Sequence, residues 1–272
     1  MTLHVTTFTP SHVVSVCDRL LSVQGKCVEL ADDRYKHFVL ICDNARVAVS
    51  FCGIAGSVDR NNRLVDDTLD WLTNVASATA HSRHDIDSHL NDFRDQLQPR
   101  INYLKSKYHL ASEKLKLAVQ VCGLVRETPF NCVIHNYLNR KCDAVQRRPS
   151  FTTHHKTYDA ASFQHGCCIF LLGQRVLAIA EKTLCNQLDA VALKGDPRQI
   201  FEASVAVIRA AARRSRGTIG NNCSGLRITR GDAGIEVFDD RLGTIWDTVM
   251  PNVVKSTSGM SFEVRNMRGS NT

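Results

Sequence analysis

Several features are missing from this chain, and each absence excludes a class of protein. No uninterrupted apolar run comes near the about 18 residues that a membrane-spanning helix needs. No charged segment followed by an apolar one opens the chain, so no secretory signal is expected. Eleven cysteines are present, yet no Cys-x-x-Cys pair occurs. Cys17, Cys27, Cys42, Cys52, Cys122, Cys132, Cys142, Cys185 and Cys223 are scattered singly, mostly inside apolar runs. Only Cys167 and Cys168 are neighbours, and adjacent residues on a strand point to opposite faces. A disulfide framework and a zinc module are therefore not indicated, and buried reduced thiols in a cytoplasmic protein are expected. There is no internal repeat and no low-complexity tract. The net charge of +7 is modest and spread along the chain. Its one local cluster, Arg209, Arg213, Arg214 and Arg216, follows a helical pattern and complements the dipole of a helix C-terminus, so nucleic acid is not the expected partner.

What is present is an order of strands and helices. Residues 3–8 alternate, 9–12 are polar, and 13–17 are apolar up to the charged pair Asp18–Arg19, which reads as a hairpin. A second pair of strands follows over 36–41 and 45–53. Helices are predicted over 67–79 and 85–105, the second containing Pro99, which kinks or divides it. The segment between them carries His81, His84 and His89 with Asp85 and Asp87, and reads as a capped helix start rather than a metal site. Strands return over 115–125 and 130–137, more weakly over 151–158, and again over 166–173, where the apolar run suggests burial on both faces. His154 and His155 are adjacent on a strand and diverge, so they are set aside as a metal pair. Two more helices are predicted, over 174–193 and 196–214. The second opens Asp196-Pro197-Arg198-Gln199, an aspartate cap, a proline at the first helical position and a glutamine three residues on. A hairpin over 224–238 and a polar tail after Pro251 complete the chain, giving one domain over 1–250 and a loosely held tail over 251–272. Two facing sheets with helix pairs outside would bury every apolar face, an α+β arrangement.

The first strands carry the candidate chemistry. If Met1 is removed, Thr2 holds both a hydroxyl and a free α-amine, which titrates near pH ~8 and can accept the hydroxyl proton. A nearby lysine would lower the hydroxyl's effective pKa, and an aspartate would hold that lysine in place. The hairpin brings Asp18 beside Thr2, and Lys36 opens a later strand. Lys26 is the rival lysine, but no equally clear strand follows it. The backbone N–H of Gly53, after the fourth strand, is the candidate oxyanion donor.

Thr2, the Val13-Val14-Ser15-Val16-Cys17-Asp18-Arg19 strand end, Lys36 and the Phe51-Cys52-Gly53-Ile54-Ala55 turn together resemble the start of proteasome-type N-terminal nucleophile hydrolases, the bacterial and archaeal β-subunit relatives above all. Residues 218–223 also resemble the segment after the last main helix in bacterial members. The resemblance implies a four-layer αββα sandwich and a peptidase that acts on a peptide or protein through an acyl-enzyme. It also implies no metal or organic cofactor and a homo-oligomer in rings or ring-like stacks. A second reading, a catalytically silent relative with a structural or binding role, stays open. The family's supporting serine in a Gly-Ser-Gly turn is absent here, where the chain runs Leu172-Gly173-Gln174-Arg175, and Asp196 is already explained as a cap.

Overall fold

The computed structural model describes residues 2–22, 29–31, 35–58, 64–111, 115–137, 147–164, 166–173, 179, 182–215, 218–231, 234–239, 252–258 and 264–266. Chain order begins β1 (Leu3–Phe8), β2 (His12–Asp18), β3 (Leu21–Ser22), β4 (Glu29–Ala31), β5 (His37–Cys42), β6 (Ala45–Gly53), β7 (Ser57–Val58) and β8 (Leu64–Val65). Helices α1 (Thr68–Thr79) and α2 (Ile86–Tyr108) follow, then β9 (Leu117–Val125), β10 (Thr128–Tyr137), β11 (Arg147–Thr157) and β12 (Cys168–Gly173). The remainder is α3 (Lys182–Lys194), α4 (Pro197–Arg214), β13 (Cys223–Thr229), β14 (Ile235–Asp239), β15 (Val253–Ser256) and β16 (Val264–Asn266).

Among the described residues, two six-stranded sheets dominate. One runs β12-β1-β2-β13-β14-β16 and the other β11-β10-β9-β6-β5-β15. Neighbouring strands are antiparallel except β14–β16 and β5–β15. The hydrophobic clusters show the layering. Leu3, Val5, Val14 and Val16 of the first sheet pack on Ile200, Phe201, Ile208 and Ala211 of α4 and Leu188 of α3. Phe38, Val47, Val49 and Val119 of the second sheet pack on Leu72 of α1 and Phe93, Leu97 and Ile101 of α2. Phe8, Val13, Leu226 and Val237 meet Val39, Ile41, Ala48 and Cys122 between the sheets. The fold is thus an α+β sandwich of four layers, αββα.

Strands β1 and β2 are buried at every position, because each face has a partner layer. The helices obey the 3.6-residue period: in α2 the buried residues Ile86, His89, Phe93, Leu97, Ile101 and Leu104 recur at intervals of three or four. Pro99 does not divide α2. It lies on the exposed side of the helix, as does Asp95, the residue four before it whose carbonyl a proline leaves without a helical donor. Asp196 caps α4, its carboxylate accepting from the Arg198 and Gln199 amides at 3.0 and 3.4 Å. Arg213 and Arg214 fall in the last turn of α4. At one end of the sandwich the two-residue turn of the β9–β10 hairpin has Arg126 and Glu127 both at positive φ. Glu127 is held by Arg46 and by the Gly231 amide at 2.8 Å, which joins the two sheets there.

Two expectations differ from the structure. Strand β12 is an edge strand and only half-buried for most of its length, so its apolar composition does not mean cover on both faces. Two pieces of the expected tail join the sheets: β15 pairs with β5, with Val254 buried, and β16 pairs with β14. Their short strands satisfy backbone groups at two sheet edges, which hydropathy does not report. The helix expected over 174–193 is seen as α3; residues 174–178, 180 and 181 lie outside the described residues. Cys17, Cys42, Cys52, Cys122, Cys132 and Cys223 are buried free thiols, while Cys27 and Cys142 lie outside the described residues. Among the described residues no helix is long and apolar enough to cross a membrane.

The amphipathic helices set two expected stabilities. Phe93→Ala, which empties a fully buried site on α2, should cost about 3–5 kcal/mol in urea unfolding. Asp196→Ala should cost only about 1 kcal/mol, the loss of a cap. A loss above about 3 kcal/mol for Asp196→Ala would show that this aspartate does more than cap α4.

Candidate active site

Hairpin register sets the first half of the site. His4 pairs with Cys17, so the next residues outward, Leu3 and Asp18, come together. The Leu3 amide donates to Asp18 Oδ1 at 2.9 Å. Asp18 Oδ2 accepts from the Gly220 amide at 3.1 Å, from the turn that leads into β13. That turn is itself shaped by Ser215, whose Oγ donates to the Ala212 carbonyl and accepts from the Ile219 amide.

The second sheet supplies the cation. Lys36 sits at the bend just before β5, and its ammonium reaches across to Asp18 Oδ2 at 3.0 Å and Thr2 Oγ1 at 2.7 Å. The Lys36 side chain is 1% exposed and that of Asp18 is 0% exposed. Two buried charges are tolerable because each is paired and hydrogen-bonded; neither would be alone. The preceding residue, Tyr35, lies under the guanidinium of Arg19, 4.9 Å from ring centre to Cζ, and Arg19 in turn pairs with Asp239 at 2.8 Å. Asp18–Arg19 and Tyr35–Lys36 are thus joined twice across the gap between the sheets.

Of the residues chosen from the sequence, Thr2 and Asp18 both contact Lys36. Gly53 stands at the end of β6, and among the described residues it makes no hydrogen bond to the other three. Its φ of +117° and the approach of the Lys116 carbonyl, 2.1 Å from where a Cβ would lie, require glycine there. Cys52, one residue earlier, does reach the centre: its Sγ lies 3.6 Å from the Thr2 carbonyl, and its own carbonyl accepts from Tyr137 Oη at 3.3 Å. Burial raises the Cys52 thiol above the ordinary cysteine range, so it stays a thiol at neutral pH.

Gly173 is the second neighbour that sequence reading did not assign. It pairs with Leu3, has φ of +97°, and a Cβ placed on it would fall 1.9 Å from the Thr2 carbonyl. Only glycine lets β12 lie this close to the start of β1. The residue after it, Gln174, where the resemblance expects a serine, lies outside the described residues.

Behind the site a polar seam runs between the sheets. His4 Nε2 donates to the Phe51 carbonyl at 2.9 Å, His37 Nε2 lies 3.2 Å from Ser15 Oγ, and Gln120 Nε2 donates to Thr6 Oγ1 at 3.1 Å and Asn131 Oδ1 at 2.9 Å. Desolvation, then the Lys36 charge, lowers His4 to about 3; His37 is also held well below its ordinary value, chiefly by burial. Both rings are neutral at physiological pH. The one sequence signal for this seam is that His4, Thr6, Ser15 and Cys17 occupy alternate positions of apolar strands.

Two substitutions measure these contacts in chemical denaturation. Lys36→Ala leaves the Asp18 carboxylate buried without its cation and should cost about 3–5 kcal/mol. Gly173→Ala should cost about 3 kcal/mol or more, from backbone strain and the clash with Thr2. Gly195→Ala, at φ of +72° with nothing within 4 Å, should cost only the strain. Equal losses at 173 and 195 would mean that the approach to Thr2 is not tight.

No protein-family model and no curated protein matches the chain. Solved structures do. The chain is similar to Anbu (ancestral beta-subunit) from Yersinia bercovieri, at 10% identity over 84% of this chain and 81% of that one, with a TM-score of 0.47. It is similar to Anbu from Hyphomicrobium sp. strain MC1, at 9% identity over 88% of each chain, TM-score 0.49. It is also similar to the Pseudomonas aeruginosa protein described as a helical assembly of the Anbu complex, at 12% identity over 85% of this chain and 88% of that one, TM-score 0.47. These findings correct the resemblance to bacterial and archaeal proteasome β subunits: the structural neighbours are Anbu proteins, proteasome-like but a distinct family.

Proposed function

We propose that this chain is a threonine-dependent N-terminal nucleophile amidohydrolase that cleaves peptides or proteins through an acyl-enzyme once Met1 is removed. The observation that carries the reading is the Lys36 ammonium, 2.7 Å from Thr2 Oγ1 and held at 3.0 Å by Asp18. A fixed cation at that distance stabilises negative charge developing on the threonine oxygen, in a site too dry for water to screen it.

In this reading, loss of Met1 leaves Thr2 with a free α-amine. The amine takes the Oγ1 proton as Oγ1 bonds to the substrate carbonyl carbon. The resulting oxyanion is received by the Gly53 N–H. The C–N bond then breaks, the leaving amine takes the proton from the Thr2 amine, and an ester on Thr2 remains. Water, deprotonated by the same amine, attacks that ester and restores the hydroxyl. Asp18 keeps Lys36 in place through its contacts with Leu3 and Gly220. The same reading carries the expectation of a homo-oligomer.

A second reading has its own support. Thr2, Asp18 and Lys36 are mutually satisfied and nearly inaccessible, Thr2 being 5% exposed, which equally suits a structural tie in a catalytically silent protein.

Intact mass before and after a threonine-directed epoxyketone or β-lactone separates the two. The hydrolase reading expects loss of the Met1 mass and one covalent adduct, absent in Thr2→Ala and reduced at least tenfold in rate by Lys36→Ala. Retention of Met1, or a free Thr2 that labels with no probe, favours the structural tie. Light scattering of the same samples gives the oligomeric state.

A further inference from the structure

We infer that His4, Cys17 and His37 form a buried binding site for one transition-metal ion of the Zn²⁺ or Co²⁺ class. The inference does not depend on the hydrolase reading. The three side chains each present a donor atom within 4.8 Å of the others, and all three are fully buried. Among the described residues no other group of three or more such side chains comes this close. They come from three strands and both sheets: His4 on β1 pairs with Cys17 on β2, and His37 opens β5 on the facing sheet.

The donor set is soft enough for such an ion. Two imidazoles and a thiolate are zinc and cobalt ligands, with bonds of about 2.0–2.3 Å in tetrahedral geometry. Such an ion draws its donors to about 3.3–3.8 Å from one another. Cys17 Sγ and His37 Nδ1 already stand 3.3 Å apart. A donor atom of His4 lies within 4.8 Å of both.

The surroundings are those of ligating histidines. A metal-bound imidazole usually gives its other nitrogen to a carbonyl or another oxygen, which fixes the tautomer. His4 Nε2 donates to the Phe51 carbonyl, and His37 Nε2 is engaged by Ser15 Oγ. His4 Nδ1 then carries a lone pair that, among the described residues, has no hydrogen-bond partner, in a ring with no exposed surface. A buried acceptor left unmatched is unfavourable, and a metal ion would remove that penalty. Ser224 Oγ, 3.9 Å from Cys17 Sγ, stands nearby for the fourth position or for a water in it.

The loaded site would carry one net positive charge. Binding of M²⁺ replaces the Cys17 thiol proton, which leaves to solvent, so one of the two charges is neutralised by the thiolate. The adjacent Lys36 ammonium is already balanced by Asp18. The ligands flank the candidate active site along the chain: Cys17 precedes Asp18, His37 follows Lys36, and His4 lies two residues after Thr2.

The test uses the full chain, expressed in medium supplemented with zinc or with cobalt. One metal ion per chain is expected by elemental analysis, with a thiolate-to-cobalt charge-transfer band and the visible bands of tetrahedral Co²⁺. Cys17→Ser should lose the charge-transfer band and most of the bound metal, and His4→Gln should weaken retention at least tenfold against a chelator. Cys185→Ser, on α3, should change nothing. X-ray absorption of the zinc-loaded wild type reads the same site without any variant and should show nitrogen neighbours with a single sulfur. Wild-type protein without stoichiometric metal, a band that survives Cys17→Ser, or a shell of several sulfurs would overturn the assignment.

Discussion

The Lys36–Asp18 pair is the constraint on which the rest of the site depends. An ammonium and a carboxylate have been taken fully out of water at the place where two sheets meet. Neither charge is tolerable there unless the other is present and the remaining hydrogen-bonding capacity is used. The pairing therefore fixes several things at once. The end of β2 must lie beside the start of β1, so that the Leu3 amide reaches Asp18. The turn before β13 must present the Gly220 amide. The bend before β5 must direct Lys36 across the gap, where Thr2 Oγ1 takes part of its hydrogen bonding. The chemistry proposed for Thr2 is available because the fold has already met the cost of holding a cation there.

The same region shows how a sandwich carries polar groups in its middle. The space between the sheets is apolar toward Phe8, Val13, Ile41 and Leu226, and polar toward His4, Cys17 and His37. Apolar packing holds the sheets together at one end of this space, and the ion pair and polar seam set their register at the other. The Glu127 contacts to Arg46 and Gly231 hold the hairpin turns on the apolar side. A sandwich pinned at both ends resists sliding of one sheet over the other, and sliding by even one residue would separate Lys36 from Asp18.

Much of the fold was legible because it rests on local rules. The alternation of 3–8 and 13–17 with a polar turn between them gives the β1–β2 hairpin, and the hairpin register alone places Asp18 near Thr2. The Asp196-Pro197 start and the recurrence of Phe93, Leu97, Ile101 and Leu104 give the helices and their buried faces. Other features were hidden because they depend on neighbours distant in the chain. Strand β12 reads as fully buried but lies at a sheet edge, since nothing local says how many strands flank it. Val253–Ser256 reads as tail but pairs with β5, whose free edge is formed some two hundred residues earlier. Pro99 reads as a kink or a break but lies within one continuous helix, on the exposed side of α2.

The sequence by itself determined the order of strands and helices, the alternation that makes two sheets with helices outside, and the candidates Thr2, Asp18, Lys36 and Gly53. Periodicity, capping and turn chemistry act over a few residues, so one chain suffices to read them. Only the tertiary structure decided that Lys36 reaches Thr2, that Cys52, Gly173 and Gly220 close around the centre, and that His4, Cys17 and His37 share one buried space. Those relations are set by how two sheets are laid face to face, which brings together residues that no local rule connects.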